Sequence, residues 1–193
     1  MIQLLKLRLS ASRYLAMAAL TILCACGQAA TPQKPASVEP ALEEPTSLAL
    51  EGYNYTNRYI DSFTVDGQGG GNIHLSSPTS GGGGTVCCVP YWLGTKTNVV
   101  AVRWQSGACY YHKRSSTSYE VYERLHSFYT ERKVTVLENN KQPAKYMEVH
   151  FYADGSVQAA VTASASPPRM QLSEERKDSS KYPRCPNDEK PAE

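Results

Sequence analysis

Apolar and polar residues alternate in several short runs through the middle of the chain. In residues 99–105, Val100, Val102 and Trp104 share one parity, while Arg103 and Gln105 share the other. Met147, Val149 and Phe151 alternate with Glu148, His150 and Tyr152, and Val157, Ala159 and Val161 repeat the pattern after Asp154-Gly155. A period of two is the signature of half-buried strands, because successive side chains leave opposite faces. Ala153-Asp154-Gly155-Ser156 predicts the hairpin turn between the last two runs, since glycine takes positive φ without a Cβ penalty. Ser47–Tyr55, Tyr59–Val65, Thr85–Pro90 and Lys133–Leu137 are further strand candidates. Between Ser118 and Thr130 the spacing changes: Tyr119, Tyr122, Leu125, Phe128 and Tyr129 recur at three and four residues, which predicts one short amphipathic helix. The connections are too short for parallel crossovers. The expected fold is therefore mainly β, an antiparallel β-sandwich-like domain with one short helix. The same pattern sets His150 and Glu148 on a solvated face.

The two ends of the chain read differently. Lys6, Arg8 and Arg13 precede an apolar run, Tyr14–Leu23, and then Cys24-Ala25-Cys26. That run is shorter than the roughly 20 residues that span a bilayer. Its charge order and the small residue before the cut are those of a secretory signal. With leucine three before the cysteine and alanine one before it, the segment resembles a bacterial lipoprotein signal. The resemblance implies removal of residues 1–25 and lipidation of Cys26, with an outer-membrane destination because Gly27 follows. Residues 26–46 carry four prolines and few large apolar side chains, the composition of a tether rather than a core. Residues 47–165 form the expected folded domain. Residues 166–193 are polar and expected to be mostly irregular, with Cys185 able to staple them to the core.

The leader takes three of the 20 Lys+Arg, leaving the mature chain one short of its 18 Asp+Glu. The basic balance of the full chain is thus no sign of nucleic-acid binding, and no basic-aromatic stripe supports it. Export permits disulfides. Cys87, Cys88, Cys109 and Cys185 allow three connectivities. Neighbours on a strand face opposite ways, so the favoured arrangement pairs Cys87 and Cys88 each with one of Cys109 and Cys185. A vicinal Cys87–Cys88 bond and a zinc site are the rivals, the latter without the paired spacing that zinc sites use.

No constellation of convergent titratable groups assembles. No Gly-x-Ser-x-Gly elbow is present, and the four histidines, His74, His112, His126 and His150, show no metal-ligating spacing. The reading is of a protein that is not an enzyme, with no cofactor, no metal and no small-molecule substrate. Two glycine runs, Gly67–Gly71 and Gly81–Gly84, lack the ending of a phosphate loop and read as conformationally free connections. Tyrosine is abundant, 13 against three Phe and two Trp. It is enriched at protein interfaces because it joins a large ring to a polar tip. Tyr53, Tyr55 and Tyr59, with the loop residues Gln68, Gly69, Gly70, Gly71 and Asn72, and with Gly81–Gly84, are therefore the candidate partner-binding surface.

Two stretches, GYNYTNRYIDSFTVDGQGGGNI at 52–73 and GGGGTVCCVPYW at 81–92, together resemble a family of small bacterial lipoproteins long described only as a domain of unknown function. Members of that family act as immunity proteins to type VI secretion phospholipase effectors. The resemblance spans about Leu48 to Thr162. It implies a periplasm-facing lipoprotein that binds a phospholipase toxin and blocks it, held by its lipid anchor to the membrane under attack. An accessory structural lipoprotein of a cell-envelope assembly is the alternative.

Overall fold

The computed structural model describes residues 44–94, 98–138 and 143–192. The expected signal, Cys26 and the expected tether up to residue 43 lie outside the described residues. Alternation becomes strand wherever the sequence shows it. The elements are β1 (Thr46–Asn54), β2 (Ile60–Val65), β3 (Gln68–Ile73), β4 (Val86–Tyr91), β5 (Val99–Arg114), β6 (Val121–Glu138), β7 (Tyr146–Phe151) and β8 (Val157–Thr162), with one 3-10 turn at Pro186–Asp188. The fold is mainly β, as expected.

The eight strands form one sheet in the order β3-β2-β5-β6-β8-β7-β1-β4. Five neighbouring pairs are antiparallel, but β1–β7 and β6–β8 are parallel. The all-antiparallel expectation counted only connections between consecutive strands. β1 meets β7 from far away in the chain, where no short loop restricts direction.

The sheet curls until its two edges nearly meet, and Gly81–Gly84 closes the gap. Gly82 bridges to Tyr53 on β1, and Gly83 bridges to Ile73 at the end of β3. His74 N–H donates to the Gly82 carbonyl at 2.9 Å, and Asn54 N–H to Gly81 at 3.3 Å. A Cβ on Gly82 would stand 2.2 Å from the His74 carbonyl oxygen, and φ there is +92°. Glycine is required at this point because backbone packs on backbone. The run is the seam of a near-barrel, not a free connection. The other glycine run is also structured: Asp66 and Gly67, at φ 48° and 82°, make a two-residue turn with the geometry that hairpins favour. Gln68–Ile73 then returns as β3. Gly70 leaves room for the Phe63 ring, which a Cβ would meet at 2.0 Å.

Inside the curl lie Leu48, Leu50, Val65, Val89, Val102, Met147 and Val149, all fully buried. Phe63 meets Phe151 edge to face with ring centres 5.5 Å apart, and Trp104 lies 5.6 Å from Phe151.

The predicted helix at Ser118–Thr130 is absent: those residues are the turn before β6 and its first half. β6 pairs with β5 from Arg114↔Val121 to Val99↔Thr135. The three- and four-residue spacing has no buried face behind it. Val121, Leu125, Phe128 and Tyr129 are all exposed, on both faces of a two-stranded ribbon. The β-branched and aromatic content of the segment suits a strand.

The cysteines pair as Cys87–Cys88 and Cys109–Cys185. The favoured cross-pairing is thus overturned in favour of the vicinal bond. The parity argument assumed an ordinary extended backbone, whereas the Cys87-Cys88 peptide is cis and brings the two Cα atoms to 3.1 Å. The tail is irregular as expected and is stapled by Cys185. It is also tightly laid on the sheet. The Arg176 guanidinium donates to the carbonyls of Ser76, Asn54 and Thr56, and Tyr59 N–H donates to Asp178 Oδ1 and Ser180 Oγ.

Candidate partner-binding site

β5 and β6 are 16 and 18 residues long, against six for β2. β2 pairs with β5 only at Val102–Trp104, and β8 pairs with β6 only at Val136–Glu138. The rest of the ribbon, Gly107–Arg114 with Val121–Phe128, extends as an arm. Its tip is the turn Ser115–Glu120, closed by Ser115 N–H to the Glu120 carbonyl at 2.8 Å and by Ser115 Oγ accepting from Thr117 and Ser118.

The tail guards one edge of the arm. Tyr110 N–H donates to Pro183 and Cys185 N–H donates back to Tyr110, at 2.9 and 2.8 Å. The Cys109–Cys185 bond, the Arg184–Glu123 ion pair at 2.7 Å and the His112–Asp188 pair at 2.5 Å hold that third strand-like segment in place. The other edge, β6 from Val121 to Thr135, has no strand beside it among the described residues. It presents a run of backbone donors and acceptors flanked by Val121, Leu125, Phe128 and Tyr129, each 40–56% exposed.

Where the arm joins the barrel there is an open cleft of about 310 Å³. The β1–β2 connection supplies Thr56–Tyr59, the β5 bulge supplies Gln105–Gly107, the β7–β8 hairpin supplies Tyr152, Ala153, Gly155 and Ser156, β6 supplies Thr130 and Arg132, and the tail supplies Tyr182. Trp104 and Phe151, side chains of the core, form its floor. The bulge is held by Gln105, whose Oε1 accepts from Asp61 N–H at 2.8 Å and whose Nε2 donates to Ser127 Oγ at 3.0 Å.

On the outer side of β1 and β7 lies a buried polar layer. Glu148 and His150 are both fully buried, contrary to the solvated face that alternation alone predicts, because the tail crosses over them. Ser166 N–H donates to Glu148 Oε1 at 2.7 Å, and Thr162 Oγ1 donates to the same atom at 3.2 Å. Tyr53 donates to the Ser166 carbonyl at 2.6 Å and stacks on His150 with ring centres 4.4 Å apart. Arg169 N–H donates to Tyr55 Oη at 2.9 Å, and Tyr55 Oη meets His150 Nδ1 at 3.0 Å. The neutral imidazole that satisfies these partners accepts from Tyr55 at Nδ1 and carries its proton on Nε2. Nε2 then faces Glu148 Oε2 at 3.4 Å, with the Arg169 guanidinium 3.5 Å from the same oxygen.

Burial alone would raise the Glu148 carboxyl. The facing imidazole and the Ser166 contacts outweigh it and hold the group below its ordinary value. Burial, helped by the Arg169 charge, lowers His150 against the opposing pull of Glu148. Tyr53 and Tyr55 are both raised, chiefly by burial. Through these hydrogen bonds from Ser166 and Arg169, the layer fastens the tail to the barrel.

The candidate surface read from sequence is thus dispersed. Tyr53 and Tyr55 are buried and belong to the polar layer, not to an exposed anchor set. Gly70 is buried too, while Gln68, Gly69, Gly71 and Asn72 are exposed on the β3 edge. Only Tyr59, half-buried, lines the cleft. The arm residues Leu125 and Phe128 were visible in the sequence but assigned to a helix face. Arg58, Arg132 and Arg169 carried no sequence signal, since their places depend on distant segments meeting. Among the described residues no group of three or more His, Cys, Asp or Glu is arranged to hold a metal ion.

A curled mixed sheet with a projecting two-stranded arm defines the class of this domain. Residues 53–159 match the model of a family described as a protein of unknown function (DUF3304), and the chain belongs to that family. No curated protein and no solved structure matches it.

Proposed function

We propose that this chain is a periplasm-facing lipoprotein, anchored through Cys26, that binds and neutralises a type VI secretion phospholipase effector and catalyses no reaction. The resemblance carried by residues 52–73 and 81–92 supplies the biological class. The arm is the observation that carries binding: a long strand edge, open among the described residues from Val121 to Thr135, with large apolar side chains exposed beside it. An open edge is a template for strand addition by another chain, with main-chain hydrogen bonds providing affinity and side-chain pockets providing specificity. Arg124, Glu131 and Lys133 along the edge restrict which partner pairs with it. An interface of ordinary size covers about 800 Å² of each partner, enough to occlude a lipase mouth.

The test uses candidate type VI secretion phospholipases, with vesicles as their substrate. The mature wild-type chain is expected to stop hydrolysis at near-stoichiometric ratio. Leu125→Asp with Phe128→Asp, both on exposed positions and so compatible with folding, is expected to lose at least about 100-fold in affinity, as hot-spot residues do. Undiminished inhibition by that double variant would remove the arm from the reading. Turnover of phospholipid by the chain itself would overturn it as a whole.

A further inference from the structure

We propose that the cleft at the base of the arm is a binding site for a small amphiphilic anion, a carboxylate or phosphate carried on an apolar chain. The residues that shape it come from five separate segments, so its composition is a property of the fold. Two of the lining residues, Arg58 and Arg132, are cationic, and none is acidic. Among the described residues no carboxylate lies within ion-pair distance of either guanidinium. Asp154, on the β7–β8 turn, lies close enough to Arg132 for that charge to help hold its carboxyl below the ordinary value. Its Oδ1 is already engaged by Ser156 N–H and Oγ at 2.8 and 2.7 Å.

A guanidinium offers carboxylate or phosphate two parallel donors, which a lysine does not. Two arginines, one from the β1–β2 connection and one from β6, both exposed, line a concavity that the buried Trp104 and Phe151 and the partly buried Tyr59 and Tyr152 also line. Arg132 shares the inward parity of Val134 and Val136 on β6, so it flanks the mouth rather than the outer surface. An apolar floor under a cationic rim fits an amphiphile with its head at the opening and the start of its chain against the two core rings. A volume of about 310 Å³ is at the small end of the roughly 300–1,000 Å³ that ligand pockets span, which favours a short chain or the first carbons of a longer one. This site does not depend on the arm edge or on the toxin reading.

The experiment titrates the mature chain with decanoate, decyl phosphate and decyltrimethylammonium, each below its micellar concentration, and follows Trp104 fluorescence in a Trp92→Phe background together with heat of binding. Saturable one-to-one binding of the anions, with the cation at least about tenfold weaker, is expected. Decanoate binding points to a fatty carboxylate and decyl phosphate binding to a phosphate head; saturable binding of either supports the site. Arg58→Gln with Arg132→Gln is expected to weaken the anions by at least about tenfold while leaving the urea midpoint unchanged. Ala153→Trp, an exposed lining position, is expected to block the cleft. Equal affinity for cation and anions, binding unaffected by the arginine changes, or no saturable binding of either anion would each overturn the proposal.

Discussion

Replacing Cys109 and Cys185 together by alanine tests how the tail contributes to stability. The bond closes a segment with a sequence separation of 76. In the loop-entropy treatment, a loop of that length removes roughly 15 cal/mol/K from the unfolded chain, or about 4.5 kcal/mol at 25 °C. Both cysteines are buried, so alanine adds no unsatisfied polar group, although the lost sulfur contacts add a small further cost. The vicinal Cys87–Cys88 bond joins adjacent residues and so closes no long loop of chain. The expectation is therefore asymmetric. Cys109→Ala with Cys185→Ala should lose about 3–5 kcal/mol, and Cys87→Ser with Cys88→Ser should stay within about 0.5 kcal/mol of wild type. Urea unfolding under non-reducing conditions, followed by Trp104 fluorescence, measures both. Amide exchange at Tyr110 and Cys185 should rise only in the first variant, because those amides hydrogen-bond the tail to the arm. Equal losses for the two pairs, or a loss under about 1 kcal/mol for the first, would refute the reasoning.

Three further outcomes follow from the buried layer and the seam. Acid should destabilise the domain in two steps of the same sign. His150 is depressed by burial, so stability present at pH 7 falls as pH drops below about 6.5, where the unfolded histidine takes its proton. Glu148 is also depressed, so a second loss begins as pH falls through the ordinary carboxylate value of 4.5. Urea midpoints from pH 8 to 4 check this. His150→Gln should flatten the upper step, and an unchanged slope between pH 7 and 5.5 in that variant would contradict it. Glu148→Gln sets an amide where the carboxylate faced His150 Nε2 and Arg169, and should cost about 1–3 kcal/mol by equilibrium unfolding. Gly82→Ala puts a Cβ against the His74 carbonyl at positive φ, whereas a Cβ on Gly84 meets nothing within 4 Å. The first should cost about 1–3 kcal/mol and the second little, read as a difference in thermal midpoint.

Much of the sheet was legible because burial on one face writes a period of two into the chain. Val100, Val102 and Trp104 face the interior and appear as β5; Asp154-Gly155 turns β7 into β8. Asp66-Gly67 carried an equally good turn signal, overshadowed by the glycines that follow it. The arm was misread because both its faces are exposed, so nothing imposed strand parity on Tyr122, Leu125 and Phe128, and a chance helical spacing stood unopposed. Tyr53, Tyr55, Glu148 and His150 have the alternation of a half-solvated strand, and their burial depends on a tail more than a dozen residues further on.

Local periodicity and turn chemistry, which act between residues a few positions apart, were enough to determine by themselves that this is a mainly β domain with a β7–β8 hairpin. Only the tertiary structure decided which strands are neighbours, how the edges close on Gly82 and Gly83, which cysteines bond, and that Arg58 and Arg132 line one cleft. Those features rest on contacts between segments distant in the chain. Their free energy is realised only when the whole sheet is assembled, so no local pattern is obliged to record them.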